Sequence, residues 1–226
     1  MDYYSLDVIL MLIIIVLPLY ANIKINSTYS KYSKKQNSGK LTGKEVAEKI
    51  LEMNGLNNVK VGRINGSLTD HYDPRNKTIS LSDGIYNSNS ISACAVAAHE
   101  VGHAIQDKER YSMLVFRSKL VPVVNFTSRL SSILVFSGFI FDLFNFITIG
   151  AILLTVGLFF QLITIPVEFD ASKRAKEELQ KCGLIEKQDT KGATKVLKAA
   201  AFTYVAGFLA SALQIARLLL ISRNRD

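Results

Sequence analysis

The chain has 226 residues, 49% of them hydrophobic and 20% charged, with a formal net charge of +8 and a positive mean hydropathy of +0.21. A chain of this length is one soluble domain or a small membrane protein, and the apolar residues gather into a few long runs with the charges between them, which selects the second. No aromatic-interleaved basic motif accompanies the positive charge, which argues against nucleic acid as a partner. The two cysteines, Cys94 and Cys182, stand far apart and exclude a disulfide framework.

The run VILMLIIIVLPLYANI, Val8 to Ile23, carries no charge, and the residues before it hold Asp2 and Asp7 but no Lys or Arg. A secretory signal needs a basic start, so residues 1–23 read as an uncleaved transmembrane anchor, with Tyr3, Tyr4 and Tyr20 suited to its interfaces. KINSTYSKYSKKQNSGK, from Lys24, reads as a flexible connector. LTGKEVAEKILEMNG follows as an amphipathic helix: Thr42 can cap it, Val46, Ile50 and Met53 recur at helical spacing, and Gly55 ends it. VKVGRI reads as a strand and TISLS as another after the turn DPRN. Residues 24–128 are thus expected to form a small α+β domain.

From Leu130 to Val167 only Asp142 is charged, enough chain for two spans with a turn near FDLFN, so residues 129–167 read as a transmembrane hairpin. Residues 168–198 are polar and basic, and AAAFTYVAGFLASALQIARLLLI makes 199–226 a fourth span with its tail. Gly207 and Ser211 within it permit close helix packing, whereas Arg217 interrupts it, leaving three spans and a peripheral C-terminal helix as the alternative. Lys24, Lys31, Lys34, Lys35, Lys40 and Lys44 form one basic block, and Lys173, Arg174, Lys176, Lys181, Lys187, Lys191, Lys195 and Lys198 the other. The turn around Asp142 has no Lys or Arg. Basic segments stay on the cytoplasmic side, so the polar domain is expected in the cytoplasm and the turn outside; Arg217, Arg223 and Arg225 weigh against an outside C-terminus.

The chain has three histidines, and two of them fall in AAHEVGHAIQ, within an alanine-rich helix beginning near Ser90. His99 and His103 stand four apart, so they share a helix face with about 5–6 Å between β-carbons. That spacing lets two imidazoles bind one zinc at about 2.0–2.1 Å each, and Glu100 lies one residue round, the H-E-x-x-H arrangement in which the glutamate is the general base. Gly102 costs about 1 kcal/mol inside a helix, which implies that something approaches the backbone there. A catalytic zinc takes a third protein ligand. Glu168 and Asp170, in ITIPVEFDASKRAKEEL, emerge from the end of a span on the expected cytoplasmic side; His71, in LTDHYDP, competes with them.

HEVGHAIQ, LTDHYDPRNKTISLS and PVEFDASKRA together resemble the YugP-like family of bacterial membrane zinc metallopeptidases, over nearly the whole chain. More remotely the chain resembles the HtpX-like and CAAX prenyl membrane proteases, whose third ligand is a glutamate on a later helix. The resemblance implies a mainly α membrane protein of about four transmembrane helices with a cytoplasmic zincin-like metallopeptidase domain. It also implies Zn2+ held by His99, His103 and Glu168, the last on the 168–198 helix, and peptide hydrolysis by a zinc-activated water with Glu100 as base. Peptides or membrane proteins are the implied substrates. The remoter pattern has an aspartate four residues after the ligand glutamate; here that position is Ser172, with Asp170 two after. His71, Tyr72 and Tyr86 are candidates for stabilising the oxyanion, and TISLS for an edge strand that binds extended peptide. Two alternatives are an intramembrane-cleaving metalloprotease, whose histidine helix crosses the bilayer, and a non-catalytic membrane scaffold.

Overall fold

The structure, a computed structural model, describes residues 3–223, and the side chains of all but Tyr3 and Tyr4. Asp2 and Arg225, which entered the charge argument, and the side chains of Tyr3 and Tyr4, assigned above to an interface, lie outside the described residues. The fold is mainly helical, 76%, with seven helices and one three-stranded sheet among the described residues. The chain divides into two compact units, one formed by 23–114 with 167–202, the other by the described parts of 1–22, 115–166 and 203–226.

The first of these units has a water-soluble type of core. α2 (Gly43–Met53) begins at Thr42, whose side-chain oxygen accepts from the Glu45 N–H while Glu45 accepts from the Thr42 N–H, a capping box that satisfies two donors the helix leaves unpaired. Val46, Ala47, Ile50 and Leu51 form its buried face. The sheet has the order β1 (Lys60–Ile64), β3 (Thr78–Ser82), β2 (His71–Asp73), with β1 parallel and β2 antiparallel to β3. The Asp73 carboxylate accepts from Arg75 N–H and Asn76 Nδ2–H and so holds the turn between β2 and β3. TISLS is therefore the central strand and not an edge: β1 and β2 take up its two sides, and the edge-binding role expected of it falls away. Ile79 and Leu81 point into the core, joined by Ile85 of the one-turn helix α3 (Asp83–Tyr86). α4 (Ile91–Lys108) starts at Ser90, whose hydroxyl accepts from Ala93 N–H, and its alanines are buried nearly all round, so neighbouring elements can approach its axis closely.

Both basic stretches are more ordered than connectors. α1 (Tyr3–Ser33) runs through the first half of the expected flexible segment, because Tyr29 and Tyr32 pack on the core while Lys24 and Lys31 face outward. Beyond it, the buried Asn37 donates to Leu41 O and Asn89 O and a bridge joins Gln36 to Ser90. The second basic stretch is helical except for a break at 182–186, where Gly183 takes a positive φ of 61° between α6 (Phe144–Lys181) and α7 (Lys187–Arg223).

In the other unit many large apolar side chains point outward, although Ile147, Ala151 and Leu218 form a small buried cluster. Among the described residues four helices are long and apolar enough to cross a membrane: α1, α5 (Ser112–Ile140), α6 and α7. The C-terminal run thus meets the criterion by length and composition. α5 and α6 are separated at 141–143, where Asp142 has a φ of 52°, so the expected hairpin turn falls at FDLFN. Some polar side chains in this unit bridge helices: Ser131 donates to Gly150 O at 2.8 Å, and Gln161 donates to Ser211 at 3.0 Å while its own Oε1 stays buried with no partner among the described residues. Arg217, the charge that interrupts the last run, donates to both carboxylate oxygens of Asp7 at 2.7 and 3.1 Å. Gly207 faces open space, so it is Ser211, through its hydroxyl, and not Gly207 that serves helix contact here.

Candidate metal centre

α4 supplies two donors one turn apart, and α6 supplies a third. The ligand atoms of His99, His103 and Glu168 all lie within 4.8 Å of one another, a grouping that excludes His71. Glu168 Oε2 is 3.2 Å from His99 Nε2 and 3.6 Å from His103 Nε2. Two donors about 2.0–2.1 Å from one tetrahedral ion stand about 3.4 Å apart, so these two separations bracket the edge of a zinc tetrahedron. The rings lie edge to face, with centroids 4.8 Å apart. Two imidazoles and one carboxylate form a donor set suited to zinc, and Glu168, 2% exposed, is a charge that burial tolerates only when paired or metal-bound.

Gly102 makes the meeting of the helices possible. A Cβ there would stand 2.6 Å from the Ala171 carbonyl oxygen, so the α6 backbone occupies the space a side chain would need. Glycine's cost inside α4 is thereby explained: it brings α6 close enough for Glu168 to reach both imidazoles.

Glu100 is 7% exposed, and burial pushes its carboxyl above the usual carboxylate range; the histidines oppose this, while Glu168 and Asp70 add to it. For His103, burial alone would depress the imidazole, but the carboxylates of Glu168 and Glu100 and the bond to Gln106 outweigh it and raise the pKa.

Two further residues touch the histidines. Ser172 Oγ lies 3.3 Å from His99 Nδ1, so the residue standing where the remoter families have aspartate contacts that ring itself. Gln106 Oε1 lies 3.0 Å from His103 Nδ1. Sequence reasoning passed over Gln106, whose signal is its place three residues after His103 and hence on the same face. The three oxyanion candidates have other contacts: the Tyr72 hydroxyl donates to Asp107 at 2.7 Å, His71 Nδ1 bonds Thr69 O at 2.9 Å, and the Lys44 ammonium sits 5.6 Å from the Tyr86 ring centre.

A family model described as "Putative neutral zinc metallopeptidase" matches residues 7–223. The chain belongs to this family. A relative from Bacillus subtilis (strain 168), "Putative membrane protease YugP", is 46% identical over 208 residues, 92% of each chain. No solved structure matches. The match takes in the three donors and the four membrane-length helices alike, so metallopeptidase and membrane character belong to one sequence unit.

Proposed function

We propose that the protein is a membrane-bound zinc endopeptidase of the H-E-x-x-H type whose active site faces the cytoplasm, with peptides or membrane proteins as substrates, the lipid bilayer as its setting and no nucleic-acid partner. The observation that carries this reading is the grouping of His99, His103 and Glu168, whose ligand atoms all lie within 4.8 Å of one another, with the buried Glu100 next to His99 in the chain.

In this reading His99 Nε2, His103 Nε2 and Glu168 would hold the ion. When bound, zinc supplies Lewis acidity that makes a water acidic near neutral pH and polarises the scissile carbonyl. Glu100 accepts the proton of the attacking water at a carboxylate oxygen and delivers it to the departing amine, and its raised pKa makes it the stronger base for that task. The cytoplasmic placement rests on the basic blocks at 24–44 and 173–198.

Two alternatives are less well supported. The histidine helix α4 is not among the four membrane-length helices found in the described residues, which disfavours a catalytic helix that crosses the bilayer. A structural zinc wants four protein ligands, usually with cysteine; among the described residues the group contains neither Cys94, which is buried and whose thiol is pushed up to about 12, nor Cys182.

The test is cleavage of casein by the purified full-length protein in detergent. We expect activity with zinc, none after chelation, and restoration on adding zinc back. Activity that survives complete zinc removal would overturn the reading. Reporter fusions at Asn37 and Asp142 check the orientation, and an external signal at Asn37 would reverse it.

A further inference from the structure

We infer that Gln106 is a positioning residue for zinc binding: held in one orientation by α6, it fixes His103 in the tautomer that leaves Nε2 free for the metal. The inference rests on the zinc reading above and adds Gln106, a residue that reading does not use.

A glutamine amide has two N–H donors and one carbonyl acceptor. Gln106 Nε2 has two acceptors in reach, Val167 O at 2.8 Å and Asp170 Oδ2 at 2.8 Å, so both donors are taken. Turning the amide over would set its oxygen against a carbonyl and a carboxylate, two repulsive contacts in a place with no water to relieve them, since Gln106 is fully buried. The orientation is therefore fixed by its surroundings. Its Oε1 then presents only an acceptor to His103 Nδ1, 3.0 Å away. A neutral imidazole carries one proton, and an acceptor facing Nδ1 holds it there. The lone pair is left on Nε2, the nitrogen 3.6 Å from Glu168 Oε2.

The support continues outward. Asp170 Oδ2 also accepts from Arg174 Nε at 2.6 Å, and Arg174 Nη1 donates to Glu109 Oε2 at 2.7 Å. His103, Gln106 and Glu109 follow one another at three-residue steps along the end of α4, and Val167, Asp170 and Arg174 at three- and four-residue steps on α6. Glu109 is the residue that caps α4, and the bonds between the two sets close a ladder. One rung ends on the carbonyl of Val167, the residue directly before Glu168. The same amide thus orients one ligand and ties down the backbone that carries another. This chain assigns to an amide, backed by a carboxylate, the task that a carboxylate or backbone carbonyl often performs directly for a metal-binding histidine.

The experiment measures zinc affinity of the full chain in detergent, by competition with a chromogenic chelator well below the unfolding temperature, for wild type, Gln106→Met, Asp170→Ala, the double variant and His103→Ala. Gln106→Met keeps the length of the side chain and removes its hydrogen bonds; we expect it to weaken zinc binding about 10–100-fold. Asp170→Ala should weaken binding less, and the double variant no more than Gln106→Met alone, because both act through one path. A merely structural role would lower the thermal midpoint of the zinc-free protein and leave zinc affinity unchanged; that result, or losses that multiply in the double variant, overturns the proposal. Should Gln106→Met fail to fold, Asp170→Ala carries the test, and wild-type affinity in it is the overturning result. His103→Ala separates the two levels: if it binds zinc like the wild type, the metal reading itself fails.

Discussion

In the unit formed by 23–114 and 167–202, Ile79, Leu81 and Ile85 are fully buried, whereas in the other unit Phe126, Phe136 and Phe141 are 68%, 69% and 68% exposed. The same kind of side chain points inward in one and outward in the other. Lipid tails are as apolar as a leucine and give a helix among them no reason to hide one, and Phe126 and Phe136 lie on α5, one of the helices long and apolar enough to cross a membrane. The rule for polar groups inverts with it. In the other unit Arg217 pairs with Asp7 and Gln161 donates to Ser211, while Ser132, Ser137 and Thr155 turn to the backbone of their own helices. In the first unit a buried polar group against an apolar core calls for a reason, and Glu100, Gln106 and Glu168 share one. Burial is informative about function only once the solvent is known.

The sharpest way to break this comparison is at the metal group. His103→Ala should abolish stoichiometric zinc, read by metal analysis of the purified protein, together with peptidase activity. Glu100→Gln should keep zinc and lower kcat by about 10²–10⁴-fold, the usual contribution of a positioned acid–base group; unchanged turnover would remove Glu100 from its role. In the core, Ile79→Ala should cost about 2–5 kcal/mol, seen as a fall in the thermal midpoint in detergent. Gly102→Ala sets a methyl against the Ala171 carbonyl and should cost about 1–3 kcal/mol by overpacking, with a measurable loss of zinc affinity as α4 and α6 part. The smallest effect is expected from Phe126→Ala, within about 0.5 kcal/mol as for a surface position. A fall as large as that of Ile79→Ala would mean that Phe126 packs against protein, and the contrast between the units would fail.

What the sequence displayed depended on the range of the interactions. The cap at Thr42, the run to Val167, the turn at FDLFN and the one-turn spacing of His99 and His103 are local and could be read directly. The strand β2, only His71–Asp73, is too short to show alternation, and without it TISLS passes for an edge. Continuation of α1 through Lys24–Ser33 was masked by polar composition, although that stretch is held by Tyr29 and Tyr32 on the core. The contacts of Gln106 and Ser172 depend on where α6 lies beside α4. Only Gly102 hinted at that approach, by being a costly residue inside a helix with no local reason for it.

Sixty-five positions separate His103 from Glu168, and the whole of α5 and the first half of α6 lie between them. A chain still leaving the ribosome carries both imidazoles long before it carries the carboxylate. Until synthesis has passed that point and α6 has settled against α4, the nascent chain holds only two of the three grouped donors.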